Sequence, residues 1–279
     1  MIDRRPEGRA VLCGSVVECE ALQLPWGDPA AQWGLGVFET IAVRDAAPRH
    51  LDDHLRRLSD AARRFDVPLP AGTELTRAAC LVAEGAGGGS HWLKIVASRS
   101  GQWAVFAGRS DPRDEGKAVV AVLLPWRRHR LDPLAGIKSL AYAACMLGLE
   151  EARRRGADEG LWLNERGHVI EACTGNVFVA RGRAVVTPSL RDGARDGVTR
   201  SLAIAALREL GLSVRLSKVR IATLRAADEV FLTSSLKGVR PVVRIDGRSV
   251  RGGDPGPLTR RLAERLMARD AVPATSKNR

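Results

Sequence analysis

Apolar residues along this chain recur with two different periods. Between residues 33 and 44 they alternate after leading glycines, as in WGLGVFETIAV, which sends successive side chains to opposite faces and predicts a strand. A shorter strand-like segment precedes it at 11–24. In HLDDHLRRLSDAARRF the period changes: Leu51, Leu55, Leu58, Ala62 and Phe65 fall at helical spacing and predict an amphipathic helix. HWLKIVASRS, QWAVFAG and AVVAVLLPW read as strands, SDPRDEGK as a polar turn, and RRHRLDPLAG as the connection to a second half. From Leu140 to about Arg155 the spacing is helical, with Gly156 as the stop. Next come the strand pair GLWLN and HVIEA around a turn at Glu165–Gly167, and the pair NVFVA and AVVTP around Arg181–Gly182. The helix GVTRSLAIAALRELG, ended by Gly211, is followed by the strands DEVFLTSS and PVVRIDG. A last helix, GPLTRRLAERLMARD, carries Leu258, Leu262 and Leu266 four apart, and PATSKNR reads as a frayed tail.

Hairpins mixed with separate helices argue for an α+β protein in two halves with the boundary near 125–135. The expected division is 1–125, a connection at 126–136, a second domain at 137–270 and a flexible tail at 271–279. At 279 residues, with 45% hydrophobic and 27% charged positions, the chain can bury a sizeable core. The start, MIDRRPEGRA, is charged where a signal peptide is apolar, and no run of about 18 apolar residues occurs, so a cytoplasmic protein without a membrane partner is expected. Cys13, Cys19, Cys80, Cys145 and Cys173 are odd in number and lack a CxxC pair, which points to reduced thiols and to no metal site.

Charge changes the picture in one respect. The net charge is +12 and the pI about 10.4, a balance that raises nucleic-acid binding. Yet the basic residues are scattered among acids and leucines, as in EARRRGADE, and no nucleic-acid partner is expected. Only six of the 44 are lysines (94, 117, 138, 218, 237 and 277), which leaves 38 arginines. Lys138, in LAGIKSLAYAACMLGLEEARRRGADEG, stands between an apolar, glycine-containing approach and a helical run; Lys94 and Lys237 are the other candidates, since Lys117, Lys218 and Lys277 lie in polar sequence. A partly desolvated lysine has a lowered pKa and a free amine, a nucleophile toward carbonyls. GVTR opens a helix whose first N–H groups favour an anion, with Thr199 adding a hydroxyl. Ser234 and Ser235, in FLTSSLKG, offer further hydroxyls. Arg57 lies off the centre of its helix's apolar stripe and reads as a solvated charge or a phosphate clamp. Glu171, at the end of HVIEA, is a carboxylate that an apolar strand must partner.

HLDDHLRRL, LAGIKSL, GADEGLWLNERGHVIEACTGNVFVARGRAVVTP, GVTR and ADEVFLTSSLKGVRPV occur in the order and spacing of the class IV, or fold type IV, pyridoxal-phosphate enzymes, and over residues 33–245 the chain resembles them. The resemblance implies a small N-terminal α/β domain, a larger C-terminal pseudo-barrel that binds pyridoxal 5'-phosphate, and a homodimer. It assigns Lys138 to the lysine that bonds the cofactor aldehyde and shuttles protons. Glu171 is assigned to the carboxylate beside the pyridine nitrogen, and Arg57, Val198, Thr199 and Ser235 to the phosphate. Asn176 matches a motif residue that buttresses the loop after Glu171. Thr40, in GLGVFET, matches a position that faces the substrate, and is a candidate proton donor or orienting hydroxyl.

Within the family the chain is most like aminodeoxychorismate lyase, which eliminates pyruvate from 4-amino-4-deoxychorismate to give 4-aminobenzoate for folate synthesis. The alternative is an aminotransferase acting on a branched-chain or D-amino acid, and a basic binding protein on a retired enzyme scaffold is a third reading. Three segments depart from the family's common patterns: Gly34–Leu35–Gly36, Ala141, and SGQWAV after Arg99, where lyases and D-amino-acid aminotransferases carry a second arginine for the substrate carboxylate. Arg99 and Arg240 are the candidates to replace it.

Overall fold

The computed structural model describes residues 5–271. Contacts divide the chain into Met1–Arg113 with Gly136–Ala144, and Asp114–Ala135 with Cys145–Arg279. The expected tail at 271–279 lies, from residue 272 on, outside the described residues.

The first unit contains β1 (Arg9–Leu12), β2 (Ser15–Glu18), α1 (Pro29–Trp33), β3 (Gly36–Arg44), β4 (Ala47–Pro48), α2 (Leu51–Phe65), α3 (Gly72–Ala86), β5 (Ser90–Ser98) and β6 (Trp103–Arg109). Its sheet runs β2-β1-β6-β5-β3-β4. Alternation in β3 puts Val37, Ile41 and Val43 into one core with Leu93, Ile95 and Val105 of the sheet and with Leu58, Ala62, Leu75 and Val82 of α2 and α3. Phe38 and Thr40 take the opposite face, paired with Val96 and Lys94 of β5, which in turn pair with Ala104 and Phe106 of β6. Thr40, Lys94, Val96, Ala104 and Phe106 are only half-buried. The sheet is therefore covered by helices on one side and carries a partly open apolar face on the other.

The second unit contains β7 (Val119–Arg128), most of α4 (Ala143–Arg154), β8 (Glu159–Asn164), β9 (His168–Ala172), β10 (Asn176–Arg181), β11 (Ala184–Thr187), α5 (Val198–Glu209), β12 (Ser213–Leu216), β13 (Val219–Arg220), α6 (Ile221–Arg225), β14 (Glu229–Ser234), β15 (Gly238–Ile245), β16 (Arg248–Ser249) and α7 (Pro257–Ala271). The strand order is β12-β11-β10-β14-β15-β7-β8-β9-β13, with β16 on β15. AVVAVLLPW, read as a strand ahead of the connection, pairs in parallel with β8 and β15 and so belongs to this sheet. Phe178 and Phe231 stack at 5.0 Å against a core from α5 and α7 that includes Leu207 and Leu262.

The helix expected from Leu140 begins at Ala143. Residues 138–140 are held extended on β3 instead: the N–H of Phe38 donates to the carbonyl of Lys138 (3.0 Å), the N–H of Leu140 donates to that of Gly36 (2.9 Å), and Ser139 bridges Val37. Two glycines permit this approach. Gly34 has φ +70°, and an added Cβ would lie 2.7 Å from the Ala141 nitrogen; at Gly36 it would lie 2.6 Å from Leu140 Cδ1.

Candidate active site

In the first unit the docked segment aims Lys138 at an aromatic surface. Its Nζ lies 4.0 Å from the centroid of Phe38 and 5.1 Å from that of Tyr142, and the two rings meet edge to face at 5.2 Å. Lys94 brings a second Nζ to 4.8 Å from the same Phe38 ring, and Thr40 is its cross-strand neighbour. An amine, a cation and a hydroxyl thus share one apolar sheet face.

Arg57 is placed by α2 against the helix-covered side of the sheet. Its Nε and Nη2 donate to the two oxygens of Glu39 at 2.7 and 2.6 Å, a bidentate pair, and Nδ1 of His54 lies 2.8 Å from Glu39 Oε2. Glu39 is 1% exposed. Burial alone would push its carboxyl up, but the Arg57 charge and the bonds from His54 and Arg57 bring it down to about 2. Burial holds His54 below its ordinary value, so that it is a neutral ring in contact with the ion pair. Glu39 escaped the sequence reading, although a carboxylate inside GVFETIAV carried the same signal that singled out Glu171.

In the second unit Glu171 sits on β9 opposite Trp162 of β8 and is 5% exposed. Its Oε1 accepts from Arg128 Nη1 at 2.8 Å and lies 3.7 Å from Arg195 Nη2, and its Oε2 accepts from the backbone N–H of Arg195 at 3.2 Å. Asn176 holds the other side of the same residue, Nδ2 donating to the carbonyl of Arg195 at 2.8 Å. Glu171 and Asn176 together therefore fix the stretch that leads into α5. Gly197 follows, where an added Cβ would lie 2.1 Å from Asn176 Oδ1. Gly197 is the N-cap of α5 and supplies no side-chain hydrogen bond, so Val198 and Thr199 open a helix whose first N–H groups suit an anion. Asn176 pairs with Thr233 near the end of β14, which brings Ser235, in the β14–β15 turn, to this end of the sheet. Glu171, Val198, Thr199 and Ser235 are thus gathered at one end of the second unit.

Both arginines offered as replacements for the missing substrate partner are paired with carboxylates, Arg99 at the surface and Arg240 in the interior. Arg99 donates to Asp66 at 2.8 Å. Arg240, 4% exposed, donates to buried Glu159 at 2.7 Å, which also accepts from the Thr174 hydroxyl. Arg128 and Arg195 were hidden in the sequence among arginines of no distinct pattern. All five cysteines are free, and among the described residues no group of three or more His, Cys, Asp or Glu could hold a metal ion. Among the same residues no helix is long and apolar enough to cross a membrane.

An amine on aromatic rings, a strand carboxylate gripped by arginines and an uncapped helix start occur in the order that a known family uses. The chain belongs to that family, amino-transferase class IV, whose pattern matches residues 36–245. A putative branched-chain-amino-acid aminotransferase of Methanocaldococcus jannaschii is 27% identical over 91% of this chain and 94% of its own. Among solved structures, a fold IV transaminase from Curtobacterium pusillum is 30% identical with a TM-score of 0.83, covering 91% of each chain. The branched-chain aminotransferase of the archaeon Thermoproteus uzoniensis, solved with norvaline, is 28% identical with a TM-score of 0.87, covering 93% of each chain. The α+β, fold type IV architecture is thereby established, and with it an enzyme of the class IV aminotransferase kind. These relatives are transaminases by name, which favours the aminotransferase alternative over the lyase put first, with its 4-aminobenzoate formation and folate synthesis.

Proposed function

We propose that this chain is a pyridoxal-phosphate-dependent aminotransferase whose amino donor has an apolar side chain, a branched-chain amino acid first among them. One observation carries the choice of substrate: the amine of Lys138 lies over Phe38 on a half-buried face whose other members include Val96, Ala104 and Phe106. An aliphatic side chain gains by covering such a face. The lyase substrate carries two carboxylates, and the arginines that might have taken the second are bound to Asp66 and Glu159.

The donor set suits the cofactor: an amine for its aldehyde, a buried carboxylate for its ring nitrogen, and N–H and hydroxyl donors for its phosphate. When bound, pyridoxal phosphate supplies a carbonyl that takes up amines and a ring that accepts the electrons released at the substrate carbon. Lys138 would hold the aldehyde, and its Nζ would carry the proton on and off that carbon. Glu171 keeps a proton on the ring nitrogen. The Val198 and Thr199 N–H groups, with the Thr199 and Ser235 hydroxyls, would bind the phosphate; Arg57, oriented by Glu39, is the candidate cation that the family resemblance assigns to it. Thr40 orients the substrate on the Phe38 face, and Lys94 holds its carboxylate.

Trp26 is 91% exposed and Trp33 66%, an apolar surface that supports the expected homodimer, testable by sedimentation. The activity is tested by titrating the yellow, cofactor-loaded protein with L-leucine, L-isoleucine and L-valine, a panel of D-amino acids, and aminodeoxychorismate. Bleaching by the branched-chain acids, reversed by a 2-oxo acid, is the expected result. Release of pyruvate from aminodeoxychorismate with no response to any amino acid would overturn it.

A further inference from the structure

We propose that Arg128 is the positioning residue for Glu171, fixing both the orientation of that carboxylate and the charge it presents to the cofactor's ring nitrogen. The inference rests on the pyridoxal-phosphate reading above.

Arg128 ends β7 in register with Asn164 of β8, two residues beyond Trp162, and Trp162 is the cross-strand partner of Glu171. From there its guanidinium lies over the indole, with the central carbon 4.1 Å from the ring centroid. It reaches past the indole with both ends of its fork: Nη1 donates to Glu171 Oε1 at 2.8 Å, and Nη2 donates to Cys145 Sγ at 3.0 Å. The Arg128 side chain is 25% exposed and that of Glu171 7%, so the pair is shielded from water on the carboxylate side. Stacking on an aromatic face while donating in two directions is what a planar guanidinium can do and an ammonium cannot. Lys at 128 would keep the charge and lose the geometry.

The division of Glu171 between its neighbours gives this pair a function. Arg128 and the Arg195 guanidinium both lie on Oε1, whereas among the described residues Oε2 accepts from a main-chain N–H, at 3.2 Å. A carboxylate has about four acceptor positions, so Oε2 retains capacity for a further N–H donor. In a buried setting, two neutral groups are easier to accommodate than an ion pair, and a carboxylate beside a ring N–H tends to take the proton. A cation held on Oε1 would oppose that transfer and leave Oε2 as the oxygen with room to accept from a ring N–H. Arg128 therefore keeps the proton on the ring nitrogen, where it makes the ring an electron sink.

The test loads the parent protein, R128Q, R128K and C145A with pyridoxal phosphate labelled at the ring nitrogen. The nitrogen resonance is followed from about pH 6 to about pH 9, and cofactor affinity is measured alongside. The parent and C145A are expected to stay protonated throughout. R128Q is expected to lose the proton within that range and to be at least half deprotonated by about pH 9. R128K is expected to fall between them, and it carries the test should R128Q fail to fold. A loaded R128Q, or R128K in its place, that titrates with the parent overturns this proposal alone. A parent protein that takes up no pyridoxal phosphate overturns the functional reading and this inference with it.

Discussion

Glu39→Gln removes one charge from a buried cluster and leaves its volume almost unchanged. In the parent the carboxylate accepts two bonds from Arg57, at 2.7 and 2.6 Å, and a third contact from His54 at 2.8 Å. Its value falls from 4.5 to about 2 despite burial, because Arg57 and His54 outweigh desolvation. A difference of about 2.5 units at 1.36 kcal/mol each is about 3 kcal/mol of stability at neutral pH. The folded value lies below the unfolded one, so this contribution is complete above about pH 4.5 and is lost as the pH falls toward 2. Removing one partner of a buried pair costs about 3–5 kcal/mol, and the lower end applies here because the Arg57 side chain is 20% exposed. His54, lowered chiefly by burial and raised by Glu39, also sheds stability as the pH falls below 6.5, so both proteins are compared in a His54→Asn background that removes its titration. Urea unfolding should show the variant about 3 kcal/mol less stable at pH 7, with the gap closing to under about 1 kcal/mol near pH 2. A gap that stays constant across that range would refute the assignment of Glu39 as an ionised, arginine-held carboxylate.

Further outcomes follow from the same geometry. Arg240→Met leaves Glu159, 1% exposed, as a buried charge without its cation, and should cost about 3–5 kcal/mol in urea unfolding; a loss below about 1 kcal/mol would mean the pair is not formed. Gly197→Ala drives a methyl into Asn176 Oδ1, so Asn176 must release the Arg195 carbonyl; destabilisation of about 1–3 kcal/mol should accompany weaker binding of the cofactor phosphate. The Cys173 thiol is pushed up to about 12 by burial, with Glu159 and Cys145 adding to it. A thiol reagent at pH 8 should therefore label exposed Cys13 and spare Cys173 until the chain unfolds, and mass mapping of the folded protein with Cys173 labelled would contradict this.

The parts of this site readable in the sequence were those where a residue type conflicted with its pattern. Lys138 was the one lysine in an apolar, glycine-flanked run, and Glu171 a carboxylate at the end of an apolar strand. What could not be read was set by pairing across long separations. The helical spacing read from Leu140 becomes a helix only at Ala143, because hydrogen bonds to Gly36 and Phe38, about a hundred positions away, hold 138–140 extended. The strand at 118–126 sits before the apparent connection, and only its pairing with β8 and β15 assigns it to the second sheet. Helix α3 was passed over because AGTELTRAACLVAEGA is rich in small residues; Leu75, Ala78, Ala79, Val82 and Ala83 do fall at helical spacing and are all buried. Arg128 was indistinguishable from its neighbours in WRRHR, since its meaning lies in Trp162, Glu171 and Cys145.

The central claim is that Lys138 bonds the cofactor. Borohydride reduction of the loaded protein makes that bond permanent, and mass spectrometry of its peptides then locates the added mass. The expected result is one phosphopyridoxyl group per chain, on Lys138. The group on Lys94 or another lysine, or no added mass at all, would contradict the account.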